Sequence, residues 1–136
     1  MFLGFVTETA YNLRGGISYN RGAGLIAYNT TSDERLKENI VDASSALSKI
    51  NSVKVRSFDW KETGNHVDFG VIAQELISIA PECVTEGQDN DDGTIKTSWA
   101  VDTSALVPAM IKAIQEQQTI INDLKARITA LEGLSA

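Results

Sequence analysis

Leu106-Val107-Pro108-Ala109-Met110-Ile111-Lys112-Ala113-Ile114-Gln115-Glu116-Gln117 opens a pattern that runs on to Glu132 and decides how this chain is built. One seam position takes Val107, Ile114, Ile121 and Ile128. The other takes Met110, Gln117, Leu124 and Leu131. Both recur every seven residues, the pattern of a helix laid against partner helices in a coiled coil. The spacing predicts one long helix over residues 104–132, on the order of 40 Å at ~1.5 Å per residue. Ser104 is the expected cap, and Pro108 then falls in the first turn, where a missing N–H costs little. Gly133 is expected to end the helix as a C-cap glycine. A lone domain could absorb such a helix on its own surface, but the last two heptads have few intrachain partners, so a partner chain is expected. Isoleucine on one seam and leucine on the other leans to two strands. Ile111 and Ile120 widen the apolar face and Gln117 places a polar group in it, which favours more than two.

Upstream the elements are short. Leu36 to Val41 reads as a strand. Asp42 is placed to cap a helix over residues 43–50, its carboxylate accepting from free amides of the first turn. Val53 to Trp60 alternates as a strand with neither face fully apolar, which predicts a small, partly exposed sheet. Val67 to Val71 reads as a second strand, followed by a helix over residues 73–80 that Pro81 ends. The acidic loop over residues 86–94 lacks the ligand pattern of a twelve-residue calcium loop. Asp92-Gly93 marks a hairpin turn instead, with Thr94 to Val101 as its return strand. The expected class is α+β: a small antiparallel β-sheet, short helices and a long C-terminal helix. Residues 1–31 stand apart. They hold half of the ten glycines, with short β runs at residues 16–20 and 24–28. Glycine breaks between such runs predict tight turns or a repetitive β stack. The apolar surface there is too small for a core of its own, so the segment is expected to complete an upstream β structure or to pair with copies of itself.

The bulk numbers exclude several classes of function. In 136 residues there is room for one main domain with an appended segment. A net charge of −6 and a pI near 4.7 argue against a nucleic-acid surface. No apolar run approaches the ~18 residues of a membrane span, and the first residues lack the basic start of a signal peptide. The single cysteine, Cys83, cannot form an intrachain disulfide, and the single histidine, His66, has no second histidine or cysteine with which to share a metal. No metal or other cofactor is expected.

Thr31-Ser32-Asp33-Glu34-Arg35-Leu36-Lys37-Glu38-Asn39-Ile40 closes the glycine-rich segment. Taken alone it reads as a solvated turn in which Ser32 or Asp33 caps a helix. Ser32 to Ile40, then Phe69-Gly70-Val71-Ile72-Ala73-Gln74-Glu75-Leu76, then Leu106 to Gln117, come in an order that resembles the C-terminal intramolecular chaperone, or auto-processing, domain of bacteriophage tail spikes and tail fibres, endosialidases among them. The resemblance spans residues 32 to about 132. It implies a homotrimer that assists folding of an upstream β-rich stalk in the same chain and then cuts itself off. In that likeness Ser32 matches the nucleophile and Lys37 the general base. Residues 1–31 would be the last piece of the stalk and 32–136 the chaperone, with 104–132 as its coiled-coil helix. The implied setting is a virion tail-fibre precursor assembled in the host cytoplasm. Its only partners would be its own copies and its own stalk, with no nucleic acid and no membrane.

The chemistry sets conditions. A serine hydroxyl needs a base to become a nucleophile. A lysine serves only when neutral, so its ordinary value near ~10.4 must fall towards ~7–8 by burial or like-charge repulsion. Arg35 is expected to help by repulsion, and Asp33, Glu34 and Glu38 to oppose if close. Residues five apart point to opposite faces of a strand and lie ~140° apart on a helix. Ser32 and Lys37 therefore meet only across a turn or bend, or between chains. An N-to-O acyl shift would open Thr31-Ser32; attack on the following junction would open Ser32-Asp33. Two rivals remain: a trimerisation and attachment module with no cleavage, and an unrelated α+β domain that dimerises through its helix.

Overall fold

The computed structural model describes residues 3–6 and 13–134. Residues 1–2 and 7–12 of the expected stalk segment lie outside them. The chain is α+β, with small antiparallel sheets and a long C-terminal helix, in two compact units: residues 1–42 and 43–136.

The first unit is a three-stranded antiparallel sheet, β1 (Leu3–Val6), β2 (Leu13–Asn20) and β3 (Leu25–Thr30), in that spatial order. Ile17 faces Tyr28 and Tyr19 faces Ile26 across the β2–β3 pair, the aromatic and β-branched pairing that favours strands. The Asn20 side chain turns the chain between them, accepting from Gly22 N at 3.0 Å and Ala23 N at 3.2 Å. Gly24, at φ +67°, takes a conformation that glycine adopts without steric cost. Gly15 is needed for a different reason: a Cβ there would lie 2.6 Å from Asn29 O on β3. Leu25, Ile26 and Tyr28 are all more than half exposed. Beyond β3 the expected strand at residues 36–41 does not form. Glu34–Leu36 is a 3-10 turn, and Asn39 at φ +52° breaks any extended run after it.

The second unit is built on a small core of Leu76, Ala80, Cys83 and Leu106, with Ile50, Val53, Val71 and Val84 packed against it. Helix α1 covers Leu47–Ser52 rather than residues 43–50, and Asp42 does not cap it. Val53 terminates α1, its N–H donating to Ile50 O. The following strand is thereby shortened to β4 (Arg56–Asp59), which pairs with β5 (His66–Gly70). Helix α2 is a single turn, Ala73–Leu76, instead of reaching residue 80. Ala80 has already left helical geometry (φ −141°, ψ 71°), since the residue before proline is disfavoured in the α region, and Pro81 opens a 3-10 turn to Cys83. The hairpin at Asp92-Gly93 is present, joining β7 (Gln88–Asp89) to β8 (Ile95–Thr97) with Gly93 at φ +80°. The expected return strand is split. Ala100–Val101 (β9) leaves β8 and pairs with β6 (Val84–Thr85).

Helix α3 spans Val107–Leu134. A 3-10 turn, Thr103–Leu106, leads into it and is capped by Asp102, whose carboxylate accepts from Ser104 N at 2.9 Å. Ser104 is thus the capped residue, not the cap. Gly133 does not end the helix: it keeps helical geometry and the chain continues to Leu134. Among the described residues no helix is long and apolar enough to cross a membrane.

Candidate functional site

Strand β3 ends at Thr30, opposite Gly15 on β2, and Thr31 and Ser32 follow directly. Asp33 then folds the chain back. Its carboxylate accepts from Arg35 N at 2.9 Å, its own carbonyl accepts from Leu36 N at 3.1 Å, and Glu34 O accepts from Lys37 N at 2.9 Å. This one turn solves the five-residue spacing. It carries Lys37 back onto Ser32 within a single chain, and Nζ lies 2.7 Å from Oγ. As an ammonium Nζ donates to Oγ. As a neutral amine it would accept the hydroxyl proton through the same contact, the reach a general base requires.

The charges around the pair differ from expectation. Arg35 does not supply repulsion. Its guanidinium forks onto Asp33, with Nε 3.0 Å from Oδ1 and Nη2 2.5 Å from Oδ2. That hydrogen bonding, first from the side chain and then from the backbone of Arg35, holds the Asp33 carboxyl below its ordinary range. Asp33 is therefore an ionised carboxylate paired with Arg35, and the charge of Lys37 adds a smaller attraction to it. Both Ser32 and Lys37 are exposed on the single chain.

The heptad positions lie along α3 as an open apolar stripe. Val107, Met110, Ile114, Ile121, Leu124, Ile128 and Leu131 are all exposed, Ile114 at 63% and Leu131 at 68%. Gln117 lies exposed among them. A flank of the helix is occupied within the chain: Ala113 is buried, and Glu116 reaches α1.

That reach was not visible in the sequence. Glu116 Oε2 accepts from Leu47 N at 3.0 Å and from Ser45 Oγ at 2.9 Å, and Oε1 accepts from Ala46 N at 3.2 Å. Partial burial would raise this carboxyl, but the donors on Ser45, Leu47 and Ala46 outweigh it and hold the group below its ordinary range. A second carboxylate, Glu75 on α2, receives Arg56 of β4 through two bonds of 2.8 and 2.6 Å. Those bonds are the main reason its carboxyl falls to about 2. His66 is an exposed strand residue, 2.6 Å from Asp59 and 3.1 Å from Ser57. Cys83 is buried, and burial pushes its thiol up.

Residues 32–85 match a peptidase-family model described as the chaperone of endosialidase. The match begins at Ser32 and contains the first two of the three sequence blocks; the block at residues 106–117 lies beyond it. A crystal structure described as that of a novel intramolecular chaperon aligns with 65% of this chain and 98% of its own, at 18% identity and a TM-score of 0.43. That similarity is too low to transfer a fold or a site.

Proposed function

We propose that the chain is an intramolecular chaperone that trimerises through α3, assists folding of the β structure preceding it, and then cuts itself at Ser32 with Lys37 as base; the match of residues 32–85 to the chaperone of endosialidase supports the reading. The observation that carries the reading is the 2.7 Å contact between Lys37 Nζ and Ser32 Oγ, formed in one chain by one turn. Neutral Nζ takes the hydroxyl proton as Oγ attacks the carbonyl carbon of the scissile peptide. At Thr31-Ser32 this forms an ester on Oγ while the C–N bond breaks and the Ser32 nitrogen takes up the proton. Water then hydrolyses the ester, giving a Thr31 carboxylate and a free Ser32 amine. Opening the Ser32-Asp33 bond would instead leave a Ser32 carboxylate and a piece beginning with a free Asp33 amine, with water supplying the added oxygen and hydrogens.

The exposed stripe on α3 supports the trimeric part of the reading. Seven seam side chains open to water on a 28-residue helix make an extended apolar surface of the kind that partner helices cover. Assembly that also covers Ser32 and Lys37 would supply the burial that a lysine base needs. Their exposure on the single chain favours a second reading, a trimerisation module that is never cut. One experiment separates the two. The chain is expressed behind a long upstream β segment and followed on a gel. Cleavage is expected in the wild type and not in Ser32→Ala or Lys37→Ala, with all three remaining trimers. An uncut wild-type trimer would leave the module reading; a wild-type rate in Lys37→Ala would remove that residue as the base. The mass of the released piece identifies the bond.

A further inference from the structure

Within the second unit, α1 packs along one flank of α3 and leaves an open groove lined by Ser45, Leu47, Glu116, Thr119 and Ile120. The Glu116 carboxylate in it accepts from Ser45 Oγ, Ala46 N and Leu47 N. All three donors are neutral, so they leave its negative charge uncancelled. They also take up three of the roughly four acceptor positions of a carboxylate. Oε1 accepts only from Ala46 N and has room for one more donor. Lys112, on the same helix, stands 3.9 Å from it, beyond hydrogen-bonding distance. Leu47 and Ile120 give the groove apolar walls. A cation on an aliphatic stem, which is a lysine, matches both the walls and the charge.

The heptads say which lysine. Ile120 immediately precedes the Ile121 seam position, and Lys125 immediately follows the Leu124 one. Identical helices arranged about a threefold axis run parallel and in register. In such a bundle the positions flanking the seam face their counterparts on the neighbouring helix. Ile120 of one copy thus faces Lys125 of the next. Lys125 is exposed and makes no ion pair within the chain among the described residues. We propose that the groove between α1 and α3 receives Lys125 of the partner subunit, its stem over Leu47 and Ile120 and its ammonium on Glu116. The proposal rests on the trimeric part of the reading above and is independent of cleavage. It makes α1 part of the interface. Each copy offers its groove to one neighbour and its lysine to the other, so three equal contacts close the ring.

The test treats the 136-residue chain in solution with a carbodiimide, which joins an amine to a carboxylate only where the two touch. Within one chain Glu116 and Lys125 lie about 13 Å apart along the axis of α3, at ~1.5 Å per residue. A bond between them therefore joins two copies. Lys112 and Glu116 of one chain are close enough to react and show that the reagent reaches the groove. The expected result is a covalent ladder of dimer and trimer on a denaturing gel. Mass spectrometry of the ladder finds a peptide joining Glu116 to Lys125. Lys125→Met keeps the stem, stays a trimer by sedimentation and loses that peptide. Lys125→Glu sets like charges together, and its trimer dissociates at about tenfold higher concentration than the wild type, the sum of three partly exposed pairs. A wild-type trimer that gives the Lys112 product without the Lys125 one would overturn the proposal. So would a Lys125→Glu trimer that dissociates like the wild type. A wild-type chain that is not a trimer would instead overturn the trimeric reading, and this proposal with it.

Discussion

At the scale of single residues, Ser32 and Lys37 could be matched to roles by likeness, and their spacing already required a turn between them. What the spacing could not supply was the agent of the turn. Asp33 is that agent: it accepts from Arg35 N and then holds the Arg35 side chain. From sequence, Arg35 read as a cation that would repel Lys37, because the pairing of two flexible side chains is not written in their order. The correction yields a prediction. Arg35→Ala would leave the Asp33 carboxylate without its guanidinium, so that its existing attraction for Lys37 Nζ strengthens and favours the charged ammonium. Cleavage is expected to slow on the order of tenfold. Adding Asp33→Asn should recover much of the rate, although it also weakens the turn. Timed gels of the two variants beside the wild type check this; an unchanged rate in Arg35→Ala would show that Asp33 does not influence the base.

Elements were legible in kind and misjudged in extent. The β4 and β5 strands, the Asp92-Gly93 hairpin and the long helix follow from alternation, turn chemistry and heptads. The ends went wrong where a distant residue intervenes. Glu116 sets the start of α1, and no local pattern around Asp42 could reveal a cap some seventy residues away. The core over α2 is only a few residues deep, so the helical pattern at residues 73–80 yields to the turn that Pro81 imposes. The link from β4 to α2 has a similar origin, with Arg56 forked onto Glu75 and Lys54 3.6 Å away. Because the Glu75 carboxyl falls to about 2 from an ordinary 4.5, the stability it contributes is complete above pH ~4.5 and is lost as pH falls towards 2. Glu75→Gln should therefore melt below the wild type at pH 7, by the small margin of a half-exposed pair. The two curves should converge by pH 2. A gap that persists at pH 2 would assign the difference to something other than the ion pair. Thermal melts at pH 7, 4.5 and 2 measure it.

At the scale of the whole molecule, the exposed stripe on α3 and the exposed apolar side chains of β3 are both surfaces a single chain leaves open. On the proposed reading they are covered in order. A helical bundle forms from local contacts and is fast, whereas β pairing between chains is nonlocal and slow. Bringing three chains together by α3 first removes much of the association entropy that strand pairing would otherwise have to overcome. In a longer chain that carries the upstream β structure, deleting residues 33–136 is expected to give insoluble stalk, and removing only residues 104–136 to abolish the trimer. The mature cut fibre should resist heat and detergent and fail to refold once denatured. Soluble trimeric stalk made without residues 33–136, seen by sedimentation, would refute the chaperone role.

The boundary between the two compact units adds a consequence. The first unit runs to Asp42, so Ser32 and its turn lie inside it, downstream of the sheet whose last strand delivers them. A cut on either side of Ser32 therefore passes through a folded body instead of a linker between bodies. The strand that presented the serine leaves with one product, and the turn that presented the lysine leaves with the other. On the proposed cleavage reading such a site would behave as a fuse: it would carry one event, and the event would part it from the strand that delivered it. After a cut at Thr31-Ser32 the downstream product would keep Ser32, Lys37 and the turn between them, but would lose the strand that led into the serine.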